Sequence, residues 1–215
     1  MREHEWLFKY CKKEPKGTIN MSKIYVVMGK SSTGKDTIYK QLLGQKNIEL
    51  KAIVGYTTRP IRCGEKEGEE YFFVTEDELI KLQKAGKVIE HRAYNTVYGV
   101  WNYFTVDDGR INLDKNDYIM IGTLEAYDKI KEYYGTSHVE PVYLEVENGL
   151  RLKRALEREQ MQKEPRYSEM CRRYLADEED FSEEKIIASG IEKKYENIDM
   201  QACLTEIIEN MATKK

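Results

Sequence analysis

Residues 23–37 read Lys23-Ile24-Tyr25-Val26-Val27-Met28-Gly29-Lys30-Ser31-Ser32-Thr33-Gly34-Lys35-Asp36-Thr37. The first six are an apolar run of strand length, and the pattern from Gly34 to Leu43 reads as a helix. Between them stands G-x-x-x-x-G-K. After a strand and at the head of a helix, that spacing is a loop for the phosphates of a nucleoside triphosphate. Its chemistry comes from the backbone. N–H groups of the loop and of the helix N-terminus converge on phosphate oxygens, and Lys35 adds a point charge at the β- and γ-phosphates. The candidate ATP-binding residues are therefore Gly29, Lys30, Ser31, Ser32, Thr33, Gly34, Lys35, Asp36 and Thr37. The residue after the lysine is usually Ser or Thr, whose hydroxyl ligates Mg²⁺. Here it is Asp36, which binds Mg²⁺ directly or through water but also adds negative charge beside a phosphate. Asp36 is the candidate metal ligand.

Outward from this loop, short apolar runs alternate with helical patterns, the signature of an α/β chain with a parallel sheet flanked by helices. Strands are expected at 23–28, 51–57, 71–75, 88–94, 118–122 and 139–146, and helices at 34–43, 76–85 and 123–134. The last third reads as helical over 148–162, 167–181 and, after a short turn, 200–211. Residues 1–20 carry a charge of +2, leaving −5 on 21–215. Charges inside the would-be apolar core exclude a signal peptide, and Met21 opens MSKIYVVMGK like a fresh start. Residues 1–20 are expected to be an N-terminal extension, a disordered arm or the artefact of an upstream start.

The 215 residues, 40% hydrophobic and 34% charged, make one domain with at most a small insertion. That length buries a core without disulfides or a structural metal. No stretch approaches the ~18 apolar residues of a membrane span, and the mean hydropathy is −0.70. A net charge of −3 argues against a general nucleic-acid binder. Cys11, Cys63, Cys171 and Cys203 have no paired spacing, and three histidines are scattered. This is neither a disulfide framework nor a zinc site, and it fits reduced thiols in the cytoplasm. Sixteen tyrosines against five phenylalanines suit a polar aromatic pocket or wet-faced packing.

Several enzyme classes share the phosphate loop, so the second substrate decides among them. Motors, helicases and GTPases want a second acidic strand-end motif or Asn-Lys-x-Asp, and neither is found. A small-molecule kinase wants a second, arginine-rich phosphate site. Residues 57–73, TTRPIRCGEKEGEEYFF, place Arg59 and Arg62 three apart and Tyr71 nine further on. Planar guanidinium forks hold a phosphate in two-point fashion, and a phenol adds a neutral donor. Residues 148–173 hold eight Lys/Arg and 177–184 six acids. Such runs are solvated helix faces or a basic hairpin over a phosphate site.

With these strings in place, the chain resembles the guanylate kinase family of P-loop nucleoside monophosphate kinases. The phosphate loop, the TTR-x-x-R-x-G-E-x-x-G-x-x-Y-x-F string, Val-Ile-Glu-His at 88–91 and Tyr98-Gly99 occur in the family's order from Met21 onward. The resemblance implies a core of 21–55, 104–147 and 182–215, an acceptor-binding subdomain at 56–103 and a helical lid at 148–181. It implies ATP and GMP going to ADP and GDP with Mg²⁺. Arg59, Arg62, Tyr71 and Tyr98 would hold the acceptor phosphate, and Glu90 would accept from guanine N1–H and the exocyclic amine. Lys35 would act on the transferring phosphoryl group, with Arg154, Arg158, Arg172 and Arg173 neutralising transition-state charge. The partners expected are small molecules, with no nucleic acid and no membrane, for a monomer or homodimer.

The departures from the family pattern are Gly55 and Val100, where hydroxyls usually read guanine O6, and Met120 and Gly122, where an Asp-x-Asp usually stands. One residue is missing between Glu90 and Tyr98. The phosphate-holding set is kept and the base-reading set is thinned, which implies a weaker or altered base preference. Tyr195-Glu196-Asn197 echoes the family's adenine loop. His91 is expected to be a packed strand residue rather than a base. Two alternatives stay open: a kinase for another small phosphorylated metabolite, of ribose bisphosphate type, and a guanylate-kinase-like interaction module without catalysis.

Overall fold

The computed structural model describes residues 21–213 except 63, 97 and 98. Residues 1–20, with Cys11, and also Cys63 and Tyr98 lie outside the described residues. The chain is an α/β protein built on two sheets. The first has five parallel strands in the order β2 (Leu50–Ala52), β7 (Asp117–Ile121), β1 (Ile24–Met28), β8 (Val139–Glu145), β9 (Lys194–Glu196). Its inner strands are apolar on both faces, as a parallel sheet covered twice must be. Ile24, Val26, Met28, Tyr118, Met120 and Tyr143 pack on one side with α3 (Leu124–Tyr134) and α6 (Glu183–Ala188). On the other side Tyr25, Val27, Ile119, Val142 and Leu144 meet α1 (Lys35–Leu43) and α7 (Met200–Thr213).

The second sheet has the order β4 (Phe72–Phe73), β3 (Tyr56–Thr57), β6 (Gly99–Val106), β5 (Val88–Thr96), and α2 (Glu76–Lys84) packs on it through Leu79. β5 and β6 form an antiparallel pair from Thr96↔Gly99 to Val88↔Val106, with an irregularity between Val88 and Glu90. α4 (Asn148–Gln160) and α5 (Tyr167–Asp180) follow β8 as a helical hairpin. Among the described residues no helix is long and apolar enough to cross a membrane.

Four expectations change. The single strand at 51–57 is two strands in different sheets. The Ile53 N–H still donates to Ile119 O at 2.9 Å, and three residues later Tyr56 pairs with Phe104. The apolar run is continuous across the crossing, so hydropathy does not reveal the change of partner. The strand at 71–75 shortens to two residues because Thr75 leaves it to cap α2. Its hydroxyl accepts from Glu78 N at 3.2 Å and the Glu78 carboxylate accepts from Thr75 N at 2.8 Å, a capping box. Gly99–Val106 is a strand not anticipated above. The short turn before 200 contains α6 and β9.

Candidate active site

The phosphate loop leaves β1 at Gly29, whose φ is +147° and where a Cβ would lie 2.5 Å from Leu144 O. Only glycine fits that approach to the neighbouring strand. Ser32 takes a left-handed φ of 66°, uncommon for a residue with a side chain. Its hydroxyl is buried without a hydrogen-bond partner. Thr33 is buried and ties the loop across itself, its hydroxyl donating to Lys30 O at 2.8 Å. Gly34, φ 86°, precedes α1 and offers no capping side chain. The helix N-terminus is thus left for an anion. Asn197, at the end of β9, fastens the arch: its side-chain amide donates to Thr33 O at 2.7 Å, and its backbone N–H donates to Glu145 O at 2.9 Å. Lys35 is half-buried beside the loop, and Asp36 and Thr37 are exposed on the first turn of α1.

The helical hairpin touches this loop through residues the sequence did not single out. Arg151 is fully buried and donates from Nε to Ser31 O at 3.2 Å. Its Nη1 reaches Asn148 Oδ1 at 2.8 Å and Glu178 Oε1 at 2.7 Å. Tyr174 stacks against the guanidinium at 4.6 Å. Asp177 accepts from the Ser31 backbone N–H at 2.8 Å, and Glu178 pairs with Lys30 Nζ at 2.7 Å. Burial opposes the Glu178 charge, yet Lys30 and Arg151 outweigh it and hold its carboxyl below the usual range. Two carboxylates of α5 thus stand against the phosphate loop.

The four lid arginines expected from sequence have different surroundings. Arg154 donates to Asn197 O at 3.0 Å and Ile198 O at 3.3 Å. Arg158 is exposed. Arg172 pairs with Glu169 at 2.7 Å, and Arg173 lies 3.8 Å from the same carboxylate. Arg151 carried one usable signal, its place among the eight basic residues of 148–173, but nothing in that spacing separates it from its neighbours.

The acceptor string does come together. Arg59 is buried at the end of β3, and both its terminal nitrogens meet Glu65, Nη1 to Oε2 at 2.7 Å and Nη2 to Oε1 at 2.6 Å. Tyr71 and Phe73 flank the guanidinium at 5.2 and 5.3 Å. The hydrogen bonds from Arg59 push the Glu65 carboxyl down to about 2. The Arg59 Nε stays buried without a partner. Arg62 is exposed and lies over Trp101 at 5.8 Å, and its N–H donates to Glu65 Oε2 at 2.8 Å. Tyr71 has its pKa raised by burial, with Tyr103 and Asp36 adding to the shift and Arg59 and Arg92 opposing it.

Glu90 is buried on β5, and both its oxygens are engaged. Arg92 Nε donates to Oε2 at 2.9 Å and Nη2 to Oε1 at 3.3 Å, while Thr105 Oγ1 donates to Oε1 at 2.8 Å. His91 faces Asn102 Oδ1 at 2.7 Å and sits edge-on to Phe104, but it is exposed on β5 rather than packed away. At Gly122 a Cβ would lie 2.8 Å from Val26 Cγ1, and Met120 is buried in the core. Neither position presents a polar group to the crevice. At Gly55 a Cβ would meet only ordinary contacts, the Tyr71 ring at 3.8 Å among them.

With the geometry established, known proteins give the following likenesses. The guanylate kinase family model matches residues 21–106. Guanylate kinase of Legionella pneumophila (strain Lens) is 40% identical over 81 residues, 37% of this chain and 38% of the relative. Guanylate kinase of Thermotoga maritima is 31% identical over 140 residues, 63% of this chain and 66% of the relative. The matched part thus spans less than two fifths of the first relative's length and about two thirds of the second's. The crystal structure of guanylate kinase from Anaplasma phagocytophilum superposes with a TM-score of 0.64 at 21% identity, covering 90% of this chain and 86% of that one. That last likeness is one of fold, and it extends well beyond the residues matched in sequence.

Proposed function

The chain belongs to the guanylate kinase family, and on that premise we propose that it transfers the γ-phosphoryl group of ATP to a nucleoside monophosphate, GMP first among them, giving ADP and GDP. The observation that carries the reading is a glycine-shaped phosphate loop at the end of β1 together with a buried Arg59 flanked by Tyr71 and Phe73 in the second sheet. In this reading the loop N–H groups and Lys35 hold the ATP phosphates. Arg59, Arg62, Tyr71 and Tyr98 hold the acceptor phosphate. Residues 56–103 form the acceptor-binding part, 148–181 the lid, and the remainder from 21 onward the core.

Phosphoryl transfer asks for in-line positioning and charge stabilisation rather than covalent help. The acceptor is already a phosphate oxygen, so no general base is required. Mg²⁺ is commonly held by one or two carboxylates together with substrate phosphates. The exposed Asp36 carboxylate beside the loop fits that donor set, and when bound the ion would neutralise phosphate charge. Arg151 would help hold the loop, Arg154 stands on the Asn197 that fastens it, and Arg158, Arg172 and Arg173 would approach the phosphates as the α4–α5 hairpin closes, which also excludes water. Small-molecule substrates and reduced thiols suit a cytoplasmic enzyme, as monomer or homodimer.

A coupled ADP-release assay against a panel of nucleoside monophosphates tests the proposal. ADP release should depend on the acceptor, and Lys35→Ala should lower kcat at least about 100-fold, the scale of losing one preorganised charge donor, at unchanged melting temperature. Acceptor-independent rates, or a Lys35→Ala enzyme near wild-type activity, would refute it.

A further inference from the structure

Resting on the kinase reading above, the geometry points to Arg92 as the residue that reads the acceptor base, at the O6/N7 edge of a 6-oxopurine. Glu90 and Arg92 are two apart on β5 and share one face of the strand. The guanidinium grips Glu90 side-on with Nε and Nη2, and Thr105 fills a further acceptor site on the same carboxylate. Glu90 is only 5% exposed. It is thereby committed to holding Arg92 and is a positioning residue.

Arg92 retains donors that Glu90 does not use. A guanidinium has five N–H groups. Two go to Glu90, and Nη1 directs one toward Thr123 Oγ1 at 3.4 Å. Among the described residues, one N–H remains on each terminal nitrogen. Thr123 follows the carboxyl end of β7 and caps α3, so Arg92 is anchored at the end of the sheet where β1 gives way to the phosphate loop. Tyr71 of the acceptor string feels its charge. The pair of remaining N–H groups forms a planar fork, which matches the two acceptors of guanine O6 and N7 and meets a donor at the amino group of adenine. Gly55 has no side chain, Val100 is apolar, and Met120 and Gly122 are packed into the core, so none of these four supplies a side-chain donor.

A fork on the O6/N7 edge ignores the 2-amino group on the far side of the ring. The substrate class is therefore 6-oxopurine nucleoside monophosphates, with GMP and IMP accepted alike. Initial rates on the wild-type enzyme with GMP, IMP and AMP test this without any variant having to fold. The expected result is a kcat/KM for IMP within about tenfold of GMP, with AMP lower by the ~10–100-fold that a two-point arginine–purine pair confers. In Arg92→Met the preference for GMP and IMP over AMP should fall by the same factor, chiefly through KM, while Arg92→Lys retains part of it. GMP turnover with IMP below one hundredth of it overturns the inference and leaves the kinase reading standing. An unchanged preference in a folded Arg92→Met also overturns it. Absence of turnover with every nucleotide overturns both.

Discussion

Replacing Arg151 with Met keeps an unbranched stem about as long as the aliphatic part of arginine and removes the charge and donors, so it isolates the tie between α4 and the phosphate loop. The side chain is fully buried, with bonds to Ser31 O, Asn148 and Glu178 and with Asp177 at 3.5 Å. Deleting one partner of a buried ion pair costs about 3–5 kcal/mol. Two observations lower that figure. The Glu178 side chain is 35% exposed and keeps Lys30, and Asp177 keeps the Ser31 N–H. The expected loss is about 2–3 kcal/mol. At 2–4 °C per kcal/mol for a domain of this size, the melting temperature falls by about 4–12 °C. Urea unfolding with an unchanged slope should give the same loss. Combining the change with Glu178→Gln should recover part of it, because the carboxylate that Arg151 neutralised is then gone. A loss below about 0.5 kcal/mol, the size of an ordinary surface change, would refute the argument, as would strict additivity with Glu178→Gln.

Gly34→Ala should cost about 2–3 kcal/mol: roughly 1–2 for a left-handed residue with a Cβ and about 1 for the Asn197–Thr33 bond, since that Cβ falls 2.6 Å from Asn197 Nδ2. The stabilisation conferred by ATP in a thermal melt should shrink with it. Glu65→Gln should flatten the acid limb of stability. The folded carboxyl titrates near 2 against an ordinary 4.5, so its contribution is complete above about 4.5 and drains away as the pH falls toward 2. Urea midpoints taken from about pH 6 down to 3 should fall less steeply in the variant, and parallel curves would contradict the Arg59–Glu65 account.

The parts of the fold set by local pattern were legible. β1, the loop and α1 read directly from 23–43 because an apolar run, glycines and a helical period follow one another. The acceptor string read as a unit because two arginines and a tyrosine share a chemistry. The thread from β2 to β3 did not, since apolar residues fill it whichever sheet receives it. Gly99–Val106 carries Val, Trp, Tyr, Phe and Thr, a strand signal, but its burial switches from exposed to buried along its length rather than alternating. At the site, the two-residue spacing of Glu90 and Arg92 is a same-face signal available in the sequence. That Arg92 spends its donors on Glu90 depends on rotamers and on Thr105 across the hairpin. Asp177 and Glu178 looked like part of an acidic helix face, and only the packing of α5 brings them against Ser31 and Lys30.

Asn197 ties the loop near the start of the chain to a strand near its end. The motif is complete as sequence at Thr37, yet the arch is pinned through Thr33 O and packed against Gly34 only by a side chain 160 residues later. On a ribosome adding about 5–20 residues per second, roughly 8–32 s separate the two. A nascent chain carries the motif through that interval without the strut that shapes it. The matched segment 21–106 likewise ends well short of residue 197. On the proposed kinase reading, tight nucleotide binding is therefore expected only of a chain that includes Asn197, and it would serve as a readout of synthesis and folding through that residue where the motif alone cannot.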